Sequence, residues 1–220
     1  MSSLVRRAAF FDMDRTVLSV ETGPSWARFM YKRGELPVGL MVKVAYWTIL
    51  HRFALLDVED VLKRTIATLR GNSEAEMVAK SDIWYRDHIA PTVVPAARVA
   101  VEHHRNAGHL IVLATGSTQY AARAVARNVG IDHVLSSELE VADGAFTGRH
   151  TAMGFGTHKV ALAEQWAERH NVDLAHSYFY SDSYTDLPML ERVGTAIAVN
   201  PDTRLYRHAR RRGWRVRYWS

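Results

Sequence analysis

A short apolar segment followed at once by two acids constrains the fold of this chain more than any other part of its sequence. Residues 8–18 read Ala-Ala-Phe-Phe-Asp-Met-Asp-Arg-Thr-Val-Leu. An apolar run that gives way abruptly to charge is typical of a buried strand ending at the edge of a sheet. Open α/β sheets bind ligands at the carboxyl ends of their strands. Asp12 and Asp14 therefore stand where chemistry is expected, and because converging carboxylates repel, we expect a cation or a shared proton there.

The size and composition are those of an ordinary globular protein. The chain has 220 residues, 48% hydrophobic and 23% charged, enough for one domain or for a core domain with a smaller insertion. It has no cysteine, which excludes disulfides and thiolate chemistry and favours a cytoplasmic location. The first strand begins too soon after Met1 for a signal peptide, and no apolar run has the length of a transmembrane segment.

The positive charge is concentrated near the C-terminus. The net charge is +5, but residues 204–220 hold seven arginines and no acid, so the rest of the chain sums to −2 (+5 − 7). We favour a polar helix face carrying Arg207 and the arginines at 210–212, followed by an edge strand at 214–219. A patch that binds nucleic acid or an anionic membrane is the alternative.

The segment after Asp14 shows helical patterns only, for about 75 residues. Glycine and proline divide it into separate helices. The predicted helices cover residues 24–33, 40–56, 57–70 and 73–89. Asp57 is the expected N-cap of the third.

Beyond this stretch, strands and helices alternate. Predicted helices cover residues 96–106, 119–128, 157–170 and 187–192, and predicted strands cover 110–114, 134–135, 178–180 and 195–199. Residues 138–146 are expected to form a hairpin around Asp143-Gly144. The alternation predicts a parallel sheet covered by helices on both faces and interrupted, after its first strand, by a helical insertion.

Two further apolar strands end in small polar or acidic residues. Strand 110–114 runs into Thr115-Gly116-Ser117, which offers a hydroxyl and backbone N–H groups to an anion at a helix start. Strand 178–180 runs towards Asp182 and Asp186, a second pair of acids. The eleven histidines show no metal-ligand spacing, and we interpret them as structural or surface residues.

Lys159, at the start of a helix between these two segments, is unusual in this chain. There are 23 arginines and only five lysines, and Lys159 is the only lysine after Lys80. A lysine in such an arginine-rich chain indicates a need for a compact point charge. Acid pairs, an anion-binding hydroxyl and a fixed cation together predict phosphoryl transfer with a hard divalent cation, for which Mg²⁺ is the expected ion.

The order of these motifs resembles that of the haloacid dehalogenase superfamily of phosphohydrolases. The matching motifs are Asp12-x-Asp14-x-Thr16, Thr115, Lys159 and Asp182-x-x-x-Asp186. The helical insertion is similar to the cap of the phosphoserine-phosphatase-like branch, subfamily IB. The resemblance implies a Rossmann-like doubly wound parallel sheet as the core domain, residues 1–19 and 92–220. It also implies an all-helical cap domain, residues 20–91, inserted after the first strand.

The resemblance assigns catalytic roles to these motifs. Asp12 would attack phosphorus and form an aspartyl-phosphate, and Asp14 would protonate the leaving oxygen and then deprotonate the hydrolytic water. Thr115, Gly116 and Lys159 would bind the phosphoryl oxygens. Because dehalogenating relatives need no general acid at the second position, Asp14 favours a phosphatase over a carbon–halogen hydrolase.

The resemblance also implies a Mg²⁺ site formed by the four acids Asp12, Asp14, Asp182 and Asp186. The carboxylates of Asp12 and Asp182 and the backbone carbonyl of Asp14 would contact the ion. Asp186 would act through water or by orienting Lys159.

The substrate is a small phosphomonoester whose identity the motifs leave open. Arg15 replaces the small residue usual after the second acid and places a cation at the mouth of the site. Glu21 falls where phosphoserine phosphatases recognise the substrate amine, and Arg64 falls near their carboxylate-binding arginine. The resemblance thus implies phosphoserine or another amino-acid or amino-alcohol phosphate. Alternatively, Glu21 caps a helix and Arg64 lies on a solvated face.

Other functions stay open from the sequence alone. The apolar helix predicted at 40–56 suits a lysophospholipid-type lipid phosphate and a weak membrane-surface contact through the cap, although a buried cap helix is the favoured interpretation. A phosphoacceptor signalling protein and a nucleic-acid-binding protein are the alternatives of another class. We expect no obligate nucleic acid and no transmembrane segment, and both a monomer and a homodimer are compatible with the sequence.

Overall fold

A seven-stranded sheet runs through the protein, which a computed structural model describes over residues 5–39 and 58–219. The strands are β1 (Ala8–Phe11), β2 (Leu110–Thr118), β3 (His133–Ala142), β4 (Ala145–Ala152), β5 (Tyr178–Ser181), β6 (Thr195–Val199) and β7 (Arg215–Arg217). They lie in the order β4-β3-β2-β1-β5-β6-β7, and β4 alone pairs antiparallel with its neighbour. The α/β fold with a doubly wound, mainly parallel sheet is therefore confirmed.

Helices cover both faces of the sheet. They are α1 (Thr22–Lys32), α2 (Val58–Ala67), α3 (Glu74–Trp84), α4 (Pro95–Asn106), α5 (Gln119–Val129), α6 (Gly156–His170), α7 (Leu187–Arg192) and α8 (Thr203–Arg212). The helix predicted at 40–56 and the N-cap predicted at Asp57 lie outside the described residues. The part of the chain described between β1 and β2 forms helices and turns, as the sequence predicts for the insertion.

β1 is the central strand, and its side chains alternate between two hydrophobic cores. All four of its residues are fully buried. Phe11 packs with α4 and α5 on one face, while Phe10 packs with α6, α7 and α8 on the other. Burial of a phenylalanine side chain stabilises the fold by about 1.5–3 kcal/mol. This double burial explains why the strand reads as an uninterrupted apolar run, and it fixes the position of the acids that follow.

Several predicted elements have different bounds in the structure, and two of them differ most. The strand predicted at 134–135 extends to Ala142, because beyond the parallel sheet it pairs antiparallel with β4 across the Asp143-Gly144 turn. The helix predicted at 73–89 ends at Trp84 and gives way to a wider helical turn, Tyr85–Ile89. Apolar patterning alone does not mark either change.

The chain enters and leaves the helical insertion through two segments that run side by side. Leu18 and Val93 form an antiparallel bridge, and the backbone N–H of Ser19 donates to the carbonyl of Thr92. The insertion also contacts the β3–β4 hairpin, where Glu74 N–H donates to the carbonyl of Gly144. The insertion is therefore anchored at both its base and the hairpin.

The arginine-rich C-terminal segment forms α8 and the edge strand β7. Asp202 caps α8 by accepting from Leu205 N–H at 2.8 Å. Arg215 and Arg217 of β7 are exposed at the sheet edge, so the predicted polar helix face and edge strand are confirmed. Within residues 5–39 and 58–219, no helix combines the length and apolarity needed to cross a bilayer.

His104 is a buried histidine of α4, in keeping with the structural role predicted for it. Its Nδ1 lies 2.8 Å from Nδ1 of His109, and its Nε2 lies 2.8 Å from the hydroxyl of Tyr180. Burial, aided by the charges of His109 and His103, lowers the pKa of His104 to about 4. The fold thus holds this imidazole in its neutral form.

This low pKa predicts acid destabilisation. Because the unfolded chain binds the proton more readily, with an ordinary pKa of about 6.5, the stability is complete above that pH and falls as the pH drops towards 4. Between pH 7.5 and 4.5 we expect His104 to account for a loss of about 2–3 kcal/mol. Urea unfolding of His104→Gln should show a smaller loss over that interval than the parent, whereas the exposed His88→Gln should follow the parent. Parallel losses in the parent and His104→Gln would contradict this assignment.

Candidate active site

The acid pair follows β1 at the carboxyl edge of the sheet. Asp12 N–H donates to the carbonyl of Tyr180 at 2.9 Å, which ties the end of β1 to β5. The chain then turns through Met13–Val17, and Arg15 adopts φ +56°, the left-handed region. This turn interrupts the alternation of side chains and lets Asp14 reach a different part of the same edge.

Lys159 connects the first acid motif to the last. Its Nζ lies 2.9 Å from Oδ1 of Asp12 and 2.6 Å from Oδ1 of Asp186, and the lysine is 2% exposed. The second carboxylate oxygen of Asp186 accepts from the hydroxyl of Ser181 at 2.7 Å. A cation so deeply buried is tolerated because two carboxylates surround it. The predicted point charge therefore contacts both acid motifs directly.

Asp14 is held by the first turn of α1. Its Oδ2 accepts from the backbone N–H of Thr22 at 3.1 Å and from the Thr22 hydroxyl at 2.9 Å. Oδ1 of Asp14 is inaccessible to solvent and has no hydrogen-bond partner. The Thr22 hydroxyl also shares a 2.7 Å hydrogen bond with Ser117, so α1 joins the acid pair to the Thr115 segment.

Arg15 bridges two acids at the mouth of the site. Its Nε donates to Oδ2 of Asp182 at 3.1 Å, and its Nη1 lies 3.8 Å from Oε1 of Glu21. Glu21 occupies the N-cap position of α1 but makes no capping hydrogen bond through its side chain. The carboxylate of Glu21 is thus directed to Arg15 rather than to the helix start.

The Thr115 segment belongs to the end of β2, and α5 begins only at Gln119. The β2–β3 register shifts between Ala114 and Thr118, which frees the intervening residues from regular pairing. The buried Thr115 hydroxyl accepts from Ser117 N–H at 3.1 Å. Ser137 fixes the segment, because its hydroxyl donates to the Gly116 carbonyl and accepts from Gly154 N–H.

Gly154 packs directly on the backbone of Thr115. A Cβ at Gly154 would lie 1.9 Å from the Thr115 carbonyl oxygen, so a larger residue must displace that segment. We expect Gly154→Ala to lower the free energy of unfolding in urea by about 1–3 kcal/mol, the range of overpacked cores. It should also lower the rate of phosphomonoester hydrolysis at least tenfold. Gly39→Ala is the control, because a Cβ there meets nothing within 4 Å. Equal behaviour of the two variants would show that the contact with Thr115 is unimportant.

Burial shifts the pKa values of Asp12, Asp14 and Asp182 upward. It raises the pKa of Asp12 to about 6, although Lys159 acts in the opposite direction. It raises the pKa of Asp14 to about 7, with a further contribution from the charge of Asp12. Burial and the charge of Asp12 also hold the pKa of Asp182 well above its usual range. For Lys159 burial alone would lower the pKa, but its two carboxylate neighbours raise it above the ordinary value.

The charges and donor atoms of this edge fit a hard divalent cation. Four acids face the two cations Lys159 and Arg15, which leaves two negative charges (4 − 2) when all are ionised. The side-chain donors are oxygens, and Mg²⁺ binds through one or two carboxylates together with phosphate and water. No three acidic or histidine side chains in the described ranges form a ready metal cage. The set therefore fits an ion that completes its coordination from substrate and solvent.

The structure brings most of the predicted site residues together and leaves one apart. The acids, Lys159 and Arg15 are linked by the contacts above, and Glu21 lies close enough to influence Asp14. Arg64 is exposed on α2, a helix that packs against β4. Sequence reasoning missed Thr22 and Ser181 as partners of the acids. The available signal for Thr22 was a hydroxyl near the start of the predicted insertion.

Fold and site together define a class, namely α/β enzymes that gather carboxylates and one buried lysine at the carboxyl edge of a parallel sheet. The chain belongs to the haloacid dehalogenase-like hydrolase family, whose model matches residues 9–191. It is therefore an enzyme of the hydrolase class, and the family predicted from the motif order is confirmed.

Curated proteins and solved structures resemble nearly the whole chain. A Mycobacterium tuberculosis protein named phosphoserine phosphatase SerB1 is 34% identical, over 96% of this chain and 70% of that protein. A Neisseria meningitidis protein named histidinol-phosphatase is 28% identical, over 96% of this chain and 98% of its own length. A crystal structure of a Bordetella pertussis protein with unknown function has a TM-score of 0.87 at 32% identity, covering 96% of this chain and 98% of that one.

Proposed function

We propose that this protein is a Mg²⁺-dependent phosphomonoester hydrolase that acts through an aspartyl-phosphate on Asp12. One observation carries the proposal: a fully buried lysine is paired with the acid at the end of β1, and a second acid of raised pKa stands two residues away. The two curated relatives described above carry phosphatase names, which supports the same reaction.

In the first proposed step, a carboxylate oxygen of Asp12 bonds to phosphorus as the ester oxygen leaves with its electron pair. Asp14 supplies the proton for that leaving oxygen. Because Oδ2 of Asp14 accepts from Thr22, we assign the proton to Oδ1, the oxygen without a partner, which the substrate must reach by displacing the groups that cover it. A pKa of about 7 makes this proton available near neutral pH.

In the second step, Asp14 takes a proton from water, and the water oxygen attacks the phosphorus of the aspartyl-phosphate. The bond between Asp12 and phosphorus then breaks and returns the carboxylate. Lys159, the Thr115 hydroxyl and the Gly116 backbone N–H would stabilise the phosphoryl oxygens as negative charge develops on them.

The carboxylates of Asp12 and Asp182 and the backbone carbonyl of Asp14 would hold Mg²⁺, and the ion would supply Lewis-acid neutralisation of the phosphoryl oxygens. Arg15 now occupies Oδ2 of Asp182, so this arginine must share or release that oxygen when the ion binds. Asp186 is committed to Lys159 at 2.6 Å, which supports the orienting role over direct contact with the ion.

Residues 20–91 are proposed to form the cap that selects the substrate, and residues 1–19 and 92–220 the core. The support is the antiparallel bridge between Leu18 and Val93, which brings together the two segments that connect the proposed cap to the proposed core. Glu21 and Arg15 lie at this mouth and offer a carboxylate and a guanidinium to a zwitterionic substrate. Both relatives' names denote phosphate esters of amine-bearing compounds. We therefore propose phosphoserine or another amino-acid or amino-alcohol phosphate as the substrate class.

A substrate panel tests both parts of the proposal. Phosphoserine, histidinol phosphate, a sugar phosphate and a lysophospholipid are incubated with Mg²⁺ and with chelator, and phosphate release is measured. We expect the amine-bearing esters to be hydrolysed fastest, and chelation to abolish all release. Turnover that survives chelation overturns the metal dependence. A preference for the sugar phosphate or the lysophospholipid overturns the proposed substrate class but not the proposed phosphatase activity.

Glu21→Gln sharpens the test of the substrate class. If Glu21 binds the substrate amine, this variant should raise KM for phosphoserine about tenfold, the effect of losing one charge-assisted hydrogen bond. It should leave KM for p-nitrophenyl phosphate, which has no amine, within twofold. Equal changes for the two substrates would mean that Glu21 acts only through Arg15.

A further inference from the structure

The arginines of α8 surround a cavity that the proposed reaction does not use. The cavity has a volume of about 210 Å³ and is lined by Tyr184, Arg204, Arg207, His208 and Arg211. Spacings of three and four residues place these side chains of α8 on one face of the helix. The cavity therefore has an almost purely cationic and polar wall.

The arginines of this wall are not paired with acids in the described part of the chain. In the ranges that the structure describes, no salt bridge joins a carboxylate to any of the three arginines. Glu191 lies beside the wall, with its Oε1 3.5 Å from Nε2 of His208. That nitrogen is buried and makes no hydrogen bond. Three guanidinium groups around one cavity are thus available to bind an anion.

The cavity is built on a rigid base beside the acid motif. The guanidinium of Arg204 lies 4.4 Å from the centre of the Tyr184 ring, a cation–π contact that fixes one wall. The backbone N–H of Tyr184 donates to Oδ2 of Asp202 at 2.7 Å, and Asp202 N–H donates to the carbonyl of Asp182 at 2.8 Å. The cavity is therefore separate from the acid edge but shares the loop that follows β5.

We propose that this cavity is a second anion site, which binds a dianionic phosphate group carried by inorganic phosphate or by a small phosphate ester. Guanidinium groups match the oxygens of phosphate in geometry and charge. The volume accommodates one tetrahedral anion with some hydration. Because the arginines are exposed, binding should weaken steeply with ionic strength.

The test is a titration of the full chain with inorganic phosphate at constant ionic strength, followed by ¹H–¹⁵N NMR. Amide signals of residues 204–211 report the cavity, while those of residues 115–117 report the acid edge, so the two sites are distinguished. We expect both sets to shift and to saturate at different phosphate concentrations. If the signals of residues 204–211 do not shift on addition of phosphate, the proposal is overturned, whatever the signals of residues 115–117 do.

The chain offers a matched control on the same helix. Arg207→Gln/Arg211→Gln removes two lining charges, whereas Arg210→Gln/Arg212→Gln removes two charges outside the lining. We expect the first pair to weaken phosphate binding at the cavity more than tenfold without changing the shifts at 115–117, and the second pair to change it less than threefold. Equal losses in both pairs would indicate a diffuse charge effect and overturn the site.

Two further arms separate the sources of phosphate. Glycerol phosphate should compete with inorganic phosphate for the signals of residues 204–211, because both present the same dianionic group. It is added together with chelator, so that the proposed Mg²⁺-dependent activity cannot convert it to inorganic phosphate. A DNA duplex and phosphatidylglycerol vesicles are titrated in parallel. If either binds through Arg207 and Arg211 while inorganic phosphate does not saturate the cavity, α8 is a surface for a macromolecular polyanion and the small-anion site is wrong.

Discussion

Asp12→Asn is expected to lower the release of phosphate from any phosphomonoester by a factor of about 10³ or more, the scale seen when a covalent nucleophile is removed. The amide keeps the shape of the carboxylate but cannot attack phosphorus as an anion. The fold should survive, because Lys159 retains its contact with Asp186 at 2.6 Å. Single-turnover measurements with saturating substrate separate this loss of chemistry from a loss of binding.

Asp143→Asn is the matched control for that experiment. Asp143 lies in the exposed β3–β4 turn at φ +52°, a conformation that asparagine also tolerates. The same change of charge and volume there should leave turnover within twofold. If Asp12→Asn keeps more than a tenth of the parental rate, the aspartyl-phosphate on Asp12 is wrong, whereas a loss in both variants would point to net charge rather than to the nucleophile.

The sequence allowed the sheet edge to be predicted because local patterns mark it. The apolar run of β1 reports burial on both faces, and a strand so buried must end where charge begins. For Lys159, the sequence predicted only that it lies near the acids, since these motifs share one edge of the sheet. Its pairing with both Asp12 and Asp186, rather than with one of them, depends on how far α6 approaches that edge.

Other contacts of the site join residues far apart in sequence and leave no local pattern. Arg15 and Asp182 are 167 residues apart, and their hydrogen bond depends on the left-handed backbone at Arg15. The interaction of Thr22 with Ser117 spans 95 residues and depends on where α1 packs. A hydroxyl at a helix start has a local capping role in most proteins, so its long-range partner could not be foreseen.

Lys159→Met is expected to produce the largest loss of stability of any single change at this edge, together with loss of turnover. Removal of one partner from a buried ion pair leaves an uncompensated charge and costs about 3–5 kcal/mol. Here the lysine serves two buried carboxylates, Asp12 and Asp186. Lys80→Met is the control, because its contact with Glu35 lies near the surface and such pairs contribute about 0–1 kcal/mol.

The pH dependence of this loss distinguishes charge from packing. The pKa of Asp12 is already raised to about 6 by burial, and Lys159 is the group that opposes the rise. Without the lysine the folded-state pKa of Asp12 moves further above its unfolded value of 3.8, so the folded state binds a proton that the unfolded state does not. The stability of Lys159→Met should therefore improve as the pH falls from 8 towards 5, relative to the parent.

A double variant allows the interaction free energy between Lys159 and Asp12 to be measured. Lys159→Met/Asp12→Asn removes one of the two acids that the lysine neutralises, so at pH 8 its loss of stability should be smaller than the sum of the losses of the two single variants. The expected difference is about 1–3 kcal/mol, the coupling of contacting charged residues. Urea unfolding of the parent, both single variants and the double variant gives this coupling directly. Additive free energies would mean that Lys159 stabilises the fold through Asp186 or through its contact with Phe179, whose ring centre is 5.5 Å from Nζ, and not through Asp12. A coupling of the expected sign would mean instead that the lysine is retained at this edge as a charge, because only a charge can hold two acids together in a buried site.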